Sequence, residues 1–253
     1  MTPEEKFTFD LEGYLVVKNV LDAAAVDELN GLADEIFPRN YDENNYCRAA
    51  PVSRWGARFR DLIDPAALVP YMLELLGPKF RIDHDYCIFM QKGAHRGGLH
   101  GGPQGGVYPE ADHWYRYHDG TMRNGLTVVT YCLSPARRGD GGFGCIPGTH
   151  KSNFVHHIPA AVRNFSRPAH YVCQPEVEAG DVIIFTEALV HGTMPWTAAY
   201  ERRALLYKYS PGHSAWDQNY YELDDYPGAT ERQKRIMAPP AVGGRPDSVQ
   251  DGD

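Results

Sequence analysis

GDVIIFTEALVHGTMPWTAAYERRALLYKY, residues 180–209, decides how this chain is read. Val182 to Phe185 is a short apolar run suited to a buried strand, His191 lies beyond its end, and Arg202 to Tyr209 reads as a second strand. A neutral imidazole at His191 can bind a metal. The planar fork of Arg202, eleven residues on, can pair with a carboxylate. A metal and an organic acid are therefore expected to meet between neighbouring strands, with Arg203 facing the opposite way from Arg202.

Upstream, Tyr171–Val177 reads as a strand joined to Val182 through the tight-turn sequence Glu178-Ala179-Gly180-Asp181. Leu126–Leu133 and Phe80–Met90 have the same character. Between those two runs lies QKGAHRGGLHGGPQGG, residues 91–106, dense enough in glycine for sharp turns and close approach to a ligand. His100 sits inside it and is the second candidate ligand. Trp114, Tyr115 and Tyr117 in the following polar, aromatic stretch would suit either a pocket wall or ordinary packing.

Toward the N-terminus, Tyr14–Val20 is strand-like, and Asp22 is a good N-cap for a helix whose buried stripe is Val26, Leu29, Ala33 and Ile36, ending before Pro38. Asp64-Pro65 is expected to open a second helix that ends at Gly77-Pro78, with Pro70 kinking or restarting it. The irregular segment 38–61 carries Arg48, Arg54, Arg58 and Arg60, which could meet an anionic substrate group or pair with nearby aspartates. After Tyr209 periodicity fades, and residues 240–253, rich in Pro, Gly and Asp, are expected to form a mobile tail.

The chain has 253 residues, 43% of them hydrophobic, which fits a single domain spanning 1–253. Its formal net charge of -8 argues against binding a nucleic-acid polymer or an anionic membrane, since either needs a clustered cationic face. No apolar run approaches the ~20 residues that span a bilayer, and the acidic start MTPEEKFTFD is unlike a signal peptide, so a cytoplasmic protein is expected. Cys47, Cys87, Cys132, Cys145 and Cys173 are scattered without a C-x-x-C pair, which suits buried reduced thiols rather than a disulfide framework or zinc ribbon. Nothing in the sequence sets an oligomeric state.

Four stretches occur in a telling order: FDLEGYLVVKNVL at 9–21, GLHGGP at 98–103, GDGGFGCIPGTHKSNF at 139–154, and GDVIIFTEALVHGT running through ERR at 180–203. Together they resemble the phytanoyl-CoA dioxygenase family of iron(II)/2-oxoglutarate enzymes. The resemblance implies a mainly β fold with flanking helices, a double-stranded β-helix (jelly roll, cupin-like), which the short β runs also suggest. It implies His100 and His191 as iron ligands, with Arg202 and Thr193 holding the distal carboxylate of 2-oxoglutarate. His150, in the turn after Pro147-Gly148, is structural in that pattern.

One departure stands out. The family writes its first two ligands as His-x-Asp, whereas this chain reads His100-Gly101-Gly102. Gly102 supplies no carboxylate, so either a halide occupies that place or another acid, Glu110 or Asp112 being nearest downstream, swings in. Iron/2-oxoglutarate halogenases carry Gly or Ala there. The leading expectation is thus a halogenase using iron(II), 2-oxoglutarate, oxygen and chloride to chlorinate an unactivated C–H bond of a freestanding small metabolite. The alternatives are a hydroxylase with an atypical third ligand and an inactive small-molecule binding module. Arg54, Arg58, Lys92, Arg96 and Trp114 are the candidate substrate contacts, by charge and stacking suited to a nucleotide or nucleoside.

Overall fold

The computed structural model describes residues 1–103 and 113–253. Ten strands are present among them: β1 (Tyr14–Val17), β2 (Tyr46–Ala49), β3 (Arg81–Met90), β4 (Tyr115–His118), β5 (Thr121–Asn124), β6 (Thr127–Cys132), β7 (Gly142–Ile146), β8 (Val182–Thr186), β9 (Val190–Met194) and β10 (Arg202–Ser210). The helices are α1 (Pro3–Glu12), α2 (Ala23–Ile36), α3 (Ala57–Arg60), α4 (Val69–Leu76), α5 (Ala160–Arg163) and α6 (Glu231–Met237). No helix among the described residues is long and apolar enough to cross a membrane.

Six strands form one antiparallel sheet in the order β1-β8-β6-β10-β3-β2. β7 and β9 pair separately, and isolated bridges from His100 to His191 and from Cys145 to Cys173 extend that pair on both sides. Two facing sheets with flanking helices follow, as expected for a jelly roll.

Side-chain alternation divides the core in two. On the outer face of the large sheet, Val182, Ile184, Leu205, Tyr207 and Tyr209 pack with Leu29 and Ala33 of α2 and Met72 and Leu75 of α4. On the inner face, Ile183, Phe185, Ala204 and Leu206 pack with Phe143 and Cys145 of β7. The outer tyrosines are anchored at their polar ends: Tyr131, Tyr207 and Tyr209 donate to the carbonyls of Leu62, Phe59 and Ile63 at 2.7, 2.6 and 2.6 Å. Burying three phenols is tolerated because each hydroxyl has an acceptor.

Local signals explain most boundaries. The Asp22 carboxylate accepts from Ala25 N–H at 2.8 Å and starts α2 as expected. α1 was not anticipated, although Thr2 and Glu5 form a reciprocal capping box with Pro3 in the first turn and Gly13, at φ 82°, ending the helix. The helix expected from Asp64 begins instead at Val69, so Pro70 falls in its first turn, where its missing N–H costs nothing, and no kink arises. Asp64 is taken by tertiary partners, Arg232 at 2.6 Å and Gln233 at 2.9 Å. Tyr171–Val177 is not a strand; it makes only the single bridges at Cys173 and Val177.

Within residues 240–253, expected to form a mobile tail, two side chains are held against the fold. Arg245 is buried and donates to the carbonyls of Lys79, Phe80, Arg235, Ala238 and Pro239. Ser248, also buried, donates to the carbonyl of Phe80.

Candidate functional site

β8 ends at Thr186, and the chain turns through Glu187, Ala188 and Leu189 before β9 begins at Val190. Thr186 closes the turn by accepting from Leu189 N–H at 2.9 Å. Glu187 and His191 thus stand at opposite ends of one tight connection. His100 reaches the same point from the glycine-rich segment through a reciprocal backbone pair, with His100 N to His191 O at 2.7 Å and His191 N to His100 O at 2.9 Å. Glycine is needed beside it: a Cβ on Gly101 would lie 2.6 Å from the Leu189 carbonyl oxygen.

Both imidazoles are oriented from behind. His100 Nδ1 lies 2.8 Å from the carbonyl of Gly98, and His191 Nδ1 lies 2.8 Å from that of Leu189. A carbonyl only accepts, so each Nδ1 carries the proton and each Nε2 presents a lone pair. The ligand atoms of His100, Glu187 and His191 all lie within 4.8 Å of one another. Glu187 Oε2 is 3.6 Å from His191 Nε2, while Oε1 accepts from Lys208 Nζ at 2.6 Å.

Electrostatics suit a cation. Burial alone would raise the carboxyl pKa of Glu187, but Lys208, then His191 and His113, outweigh it and hold the group well below the usual carboxylate range. Burial pushes the His191 imidazole down to about 3 against the opposing pull of Glu187, leaving it neutral at neutral pH. Two imidazoles and one ionised carboxylate fit a divalent first-row metal.

Arg202 lies on the same inner face, 7% exposed, with Met90 Sδ at 3.5 Å as its hydrogen-bond acceptor. Among the described residues no acidic side chain comes within ion-pair distance of it. A buried guanidinium without a carboxylate is costly unless a ligand supplies one, so the residue fits the distal carboxylate of 2-oxoglutarate. Thr193 lines the same cavity of about 240 Å³, together with His100, Glu187, His191 and Lys208. Arg203 faces outward to Asp34 at 3.0 Å, as the strand period requires.

Gly102 is placed differently from the expectation. At φ 112° its missing side chain would meet Val155 Cγ2 at 3.0 Å and Val190 Cγ2 at 3.6 Å, an apolar contact, and Gly102 is not among the cavity-lining residues described. The third donor beside the imidazoles is Glu187, which sequence reading passed over. Glu110 and Asp112, the acids considered for that role, lie outside the described residues.

The candidate substrate contacts scatter. Arg96 lines the cavity, paired with Asp42 at 2.9 Å. Arg54 pairs with Asp225 at 2.9 Å and Arg58 with Glu28 at 2.8 Å, and neither is among the lining residues. Lys92 is exposed and Trp114 lines a separate cavity beside Leu76 and His213. His150 is buried with Nε2 3.0 Å from the Asp10 carbonyl, a structural role.

Sequence reasoning also missed Lys208 and His113. Lys208 shares the inner face with Arg202 by the two-residue period, a legible signal. His113 is buried, stacks on Trp216 at 4.7 Å, and brings Nε2 within 3.8 Å of Glu187 Oε2. Neither of its ring nitrogens has a hydrogen-bond partner among the described residues.

Residues 99–204 match the family model for phytanoyl-CoA dioxygenase (PhyH). No curated protein sequence matches the chain. Among solved structures, HygX from Streptomyces hygroscopicus with nickel and 2-oxoglutarate bound is similar at 22% identity and TM-score 0.77, over 90% of this chain and 95% of that one. The α-ketoglutarate-dependent epimerase SnoN from nogalamycin biosynthesis is similar at 16% identity and TM-score 0.64, over 96% of each chain. The carbocyclase SnoK of the same biosynthesis shows 17% identity and TM-score 0.62, over 84% of this chain and 85% of that one. The segment that brings His100, Glu187, His191 and Arg202 together therefore carries the phytanoyl-CoA dioxygenase (PhyH) family pattern, on a fold shared with iron- and 2-oxoglutarate-dependent enzymes.

Proposed function

We propose that this protein is an iron(II)/2-oxoglutarate-dependent oxygenase that hydroxylates a freestanding small molecule, its metal held by His100, Glu187 and His191. The observation that carries this reading is the Glu187 carboxylate, placed with two imidazole Nε2 atoms within 4.8 Å and steadied through its other oxygen by Lys208. The usual two-histidine, one-carboxylate set is kept, with the carboxylate moved from two residues after the first histidine to four residues before the second.

Iron with 2-oxoglutarate and oxygen supplies the oxidising chemistry that attacks an unactivated C–H bond. The chain's own residues prepare the place for it. Gly98 and Leu189 carbonyls fix the two rings, Lys208 keeps Glu187 ionised, and Arg202 with Thr193 receives the distal carboxylate of the cosubstrate. The inner-face side chains Phe143 and Phe185 line the cavity and pack beside His191, with ring centroids 6.2 and 4.6 Å from its ring.

The chlorination reading depends on Gly102 leaving the metal short of a protein carboxylate, and the Glu187 carboxylate beside the two imidazoles supports the oxygenase reading instead. The discriminating experiment is anaerobic iron(II) titration of wild type, Glu187→Ala and Gly102→Asp, followed by product mass spectrometry with and without chloride. We expect Glu187→Ala to lose iron affinity and Gly102→Asp to keep it, with products gaining one oxygen whether or not chloride is present. Chloride-dependent products bearing the chlorine isotope pattern would establish the halogenase instead. A wild-type protein that makes no succinate from 2-oxoglutarate with iron and any candidate ligand would be the binding module.

A further inference from the structure

We propose that Arg48 binds an oxyanion of the substrate, so that the substrate class is an anionic small molecule bearing a carboxylate or a phosphate; this rests on the oxygenase reading of the same cavity. The cavity around the metal donors is lined, among the described residues, by four cations, Arg48, Arg96, Arg202 and Lys208, and one acid, Glu187. Lys208 is matched to Glu187 at 2.6 Å and Arg96 to Asp42 at 2.9 Å, and Arg202 is reserved for 2-oxoglutarate. Arg48 is the remaining cation, and among the described residues no acidic side chain lies within ion-pair distance of it.

Its posture is that of a receptor. Arg48 pairs in register with Ile88 on the edge strand β2, and its guanidinium carbon lies 3.8 Å from the centre of the Tyr86 ring. Contact with the ring restrains a long side chain, and the guanidinium N–H groups, which bind carboxylate or phosphate in two parallel hydrogen bonds, belong to a residue that lines the cavity. Arg48 is exposed where Arg202, Glu187 and His191 are buried, which puts it on the entrance side of the metal. The other arginines of the same segment are engaged elsewhere: Arg54 with Asp225, Arg58 with Glu28, and Arg60 with the Pro227 carbonyl. A locally cationic entrance on a molecule of net charge -8 favours anions over neutral or cationic molecules.

The test is isothermal titration calorimetry on full-length, nickel-loaded protein saturated with 2-oxoglutarate, at constant ionic strength, with methyl phosphate and acetate as separate probes and chloride as the comparator. We expect at least one probe to bind wild type, to bind Arg48→Ala about tenfold or more weakly, and to recover in part with Arg48→Lys. Arg54→Ala and Arg58→Ala should bind the probe as wild type does. Which probe wins separates phosphate from carboxylate substrates. Failure of both probes to bind wild type overturns the proposal, as does wild-type affinity in Arg48→Ala. Loss of 2-oxoglutarate affinity in Arg48→Ala would assign the residue to the cosubstrate and overturn it equally. Failure of wild type to bind nickel sinks the oxygenase reading, and the same probe titration on metal-free wild type and Arg48→Ala then reads the Arg48 proposal separately: a tenfold loss in the variant supports it and equal affinity overturns it.

Discussion

The Glu187–Lys208 pair holds the one carboxylate of the proposed metal set largely buried, and removing either partner strands the other charge there. Lys208→Met is therefore expected to weaken metal binding by about 10- to 100-fold, the usual effect of losing a group that orients a ligand. Nickel titration checks this, and unchanged affinity would mean that Lys208 is a bystander. His150 gives a prediction about pH at a residue outside the metal donor set. Burial holds its pKa down at about 4, with Lys151 adding to the effect against the Asp10 carbonyl. Between about 4 and the ordinary value of 6.5 the unfolded chain binds a proton that the folded chain does not, so stability falls as pH drops through that window. His150 contributes up to about 3 kcal/mol of that loss. Urea unfolding of wild type and His150→Gln at pH 7 and pH 5 should show a shallower pH dependence in the variant.

At the scale of elements, β8 shows what two-residue alternation does. Ile184 faces the helices and Phe185 faces the site, its ring 4.6 Å from that of His191. Truncating either to alanine removes a fully packed side chain, at about 2–5 kcal/mol. Only Phe185→Ala should also weaken metal binding, because only that side chain backs a ligand. Equal metal affinity in the two variants, measured where both remain folded, would contradict the division of faces. At α2, Asp22→Ala should lower stability by about 1 kcal/mol through loss of the cap alone, leaving metal affinity as in wild type; thermal and metal titrations read the two effects separately.

Across the whole molecule, the terminal segment closes the fold over the end of β3. Arg245 donates to five carbonyls from two parts of the chain, so Arg245→Ala should destabilise by about 1–3 kcal/mol, since a buried side chain and several part-buried hydrogen bonds are lost together. Truncation after residue 239 should cost at least as much in chemical unfolding. A mobile tail would show no change in either case.

What the sequence made legible by itself was local or repeated: strands from short apolar runs, α2 from its cap and stripe, the candidate imidazoles of His100 and His191 from their ordered stretches, and the candidate Arg202 from its place on a strand. Those features are set by neighbours a few residues away. The tertiary structure alone decided which acid approaches the imidazoles and which cation stays unpaired. Glu187 becomes a ligand candidate because a turn swings it toward His191 while β10 delivers Lys208 behind it. Arg48 is singled out because Asp225 and Glu28, distant in sequence, fold back to claim Arg54 and Arg58. Charge pairing acts through space over a few ångströms, and a linear pattern carries no record of which distant groups will come that close.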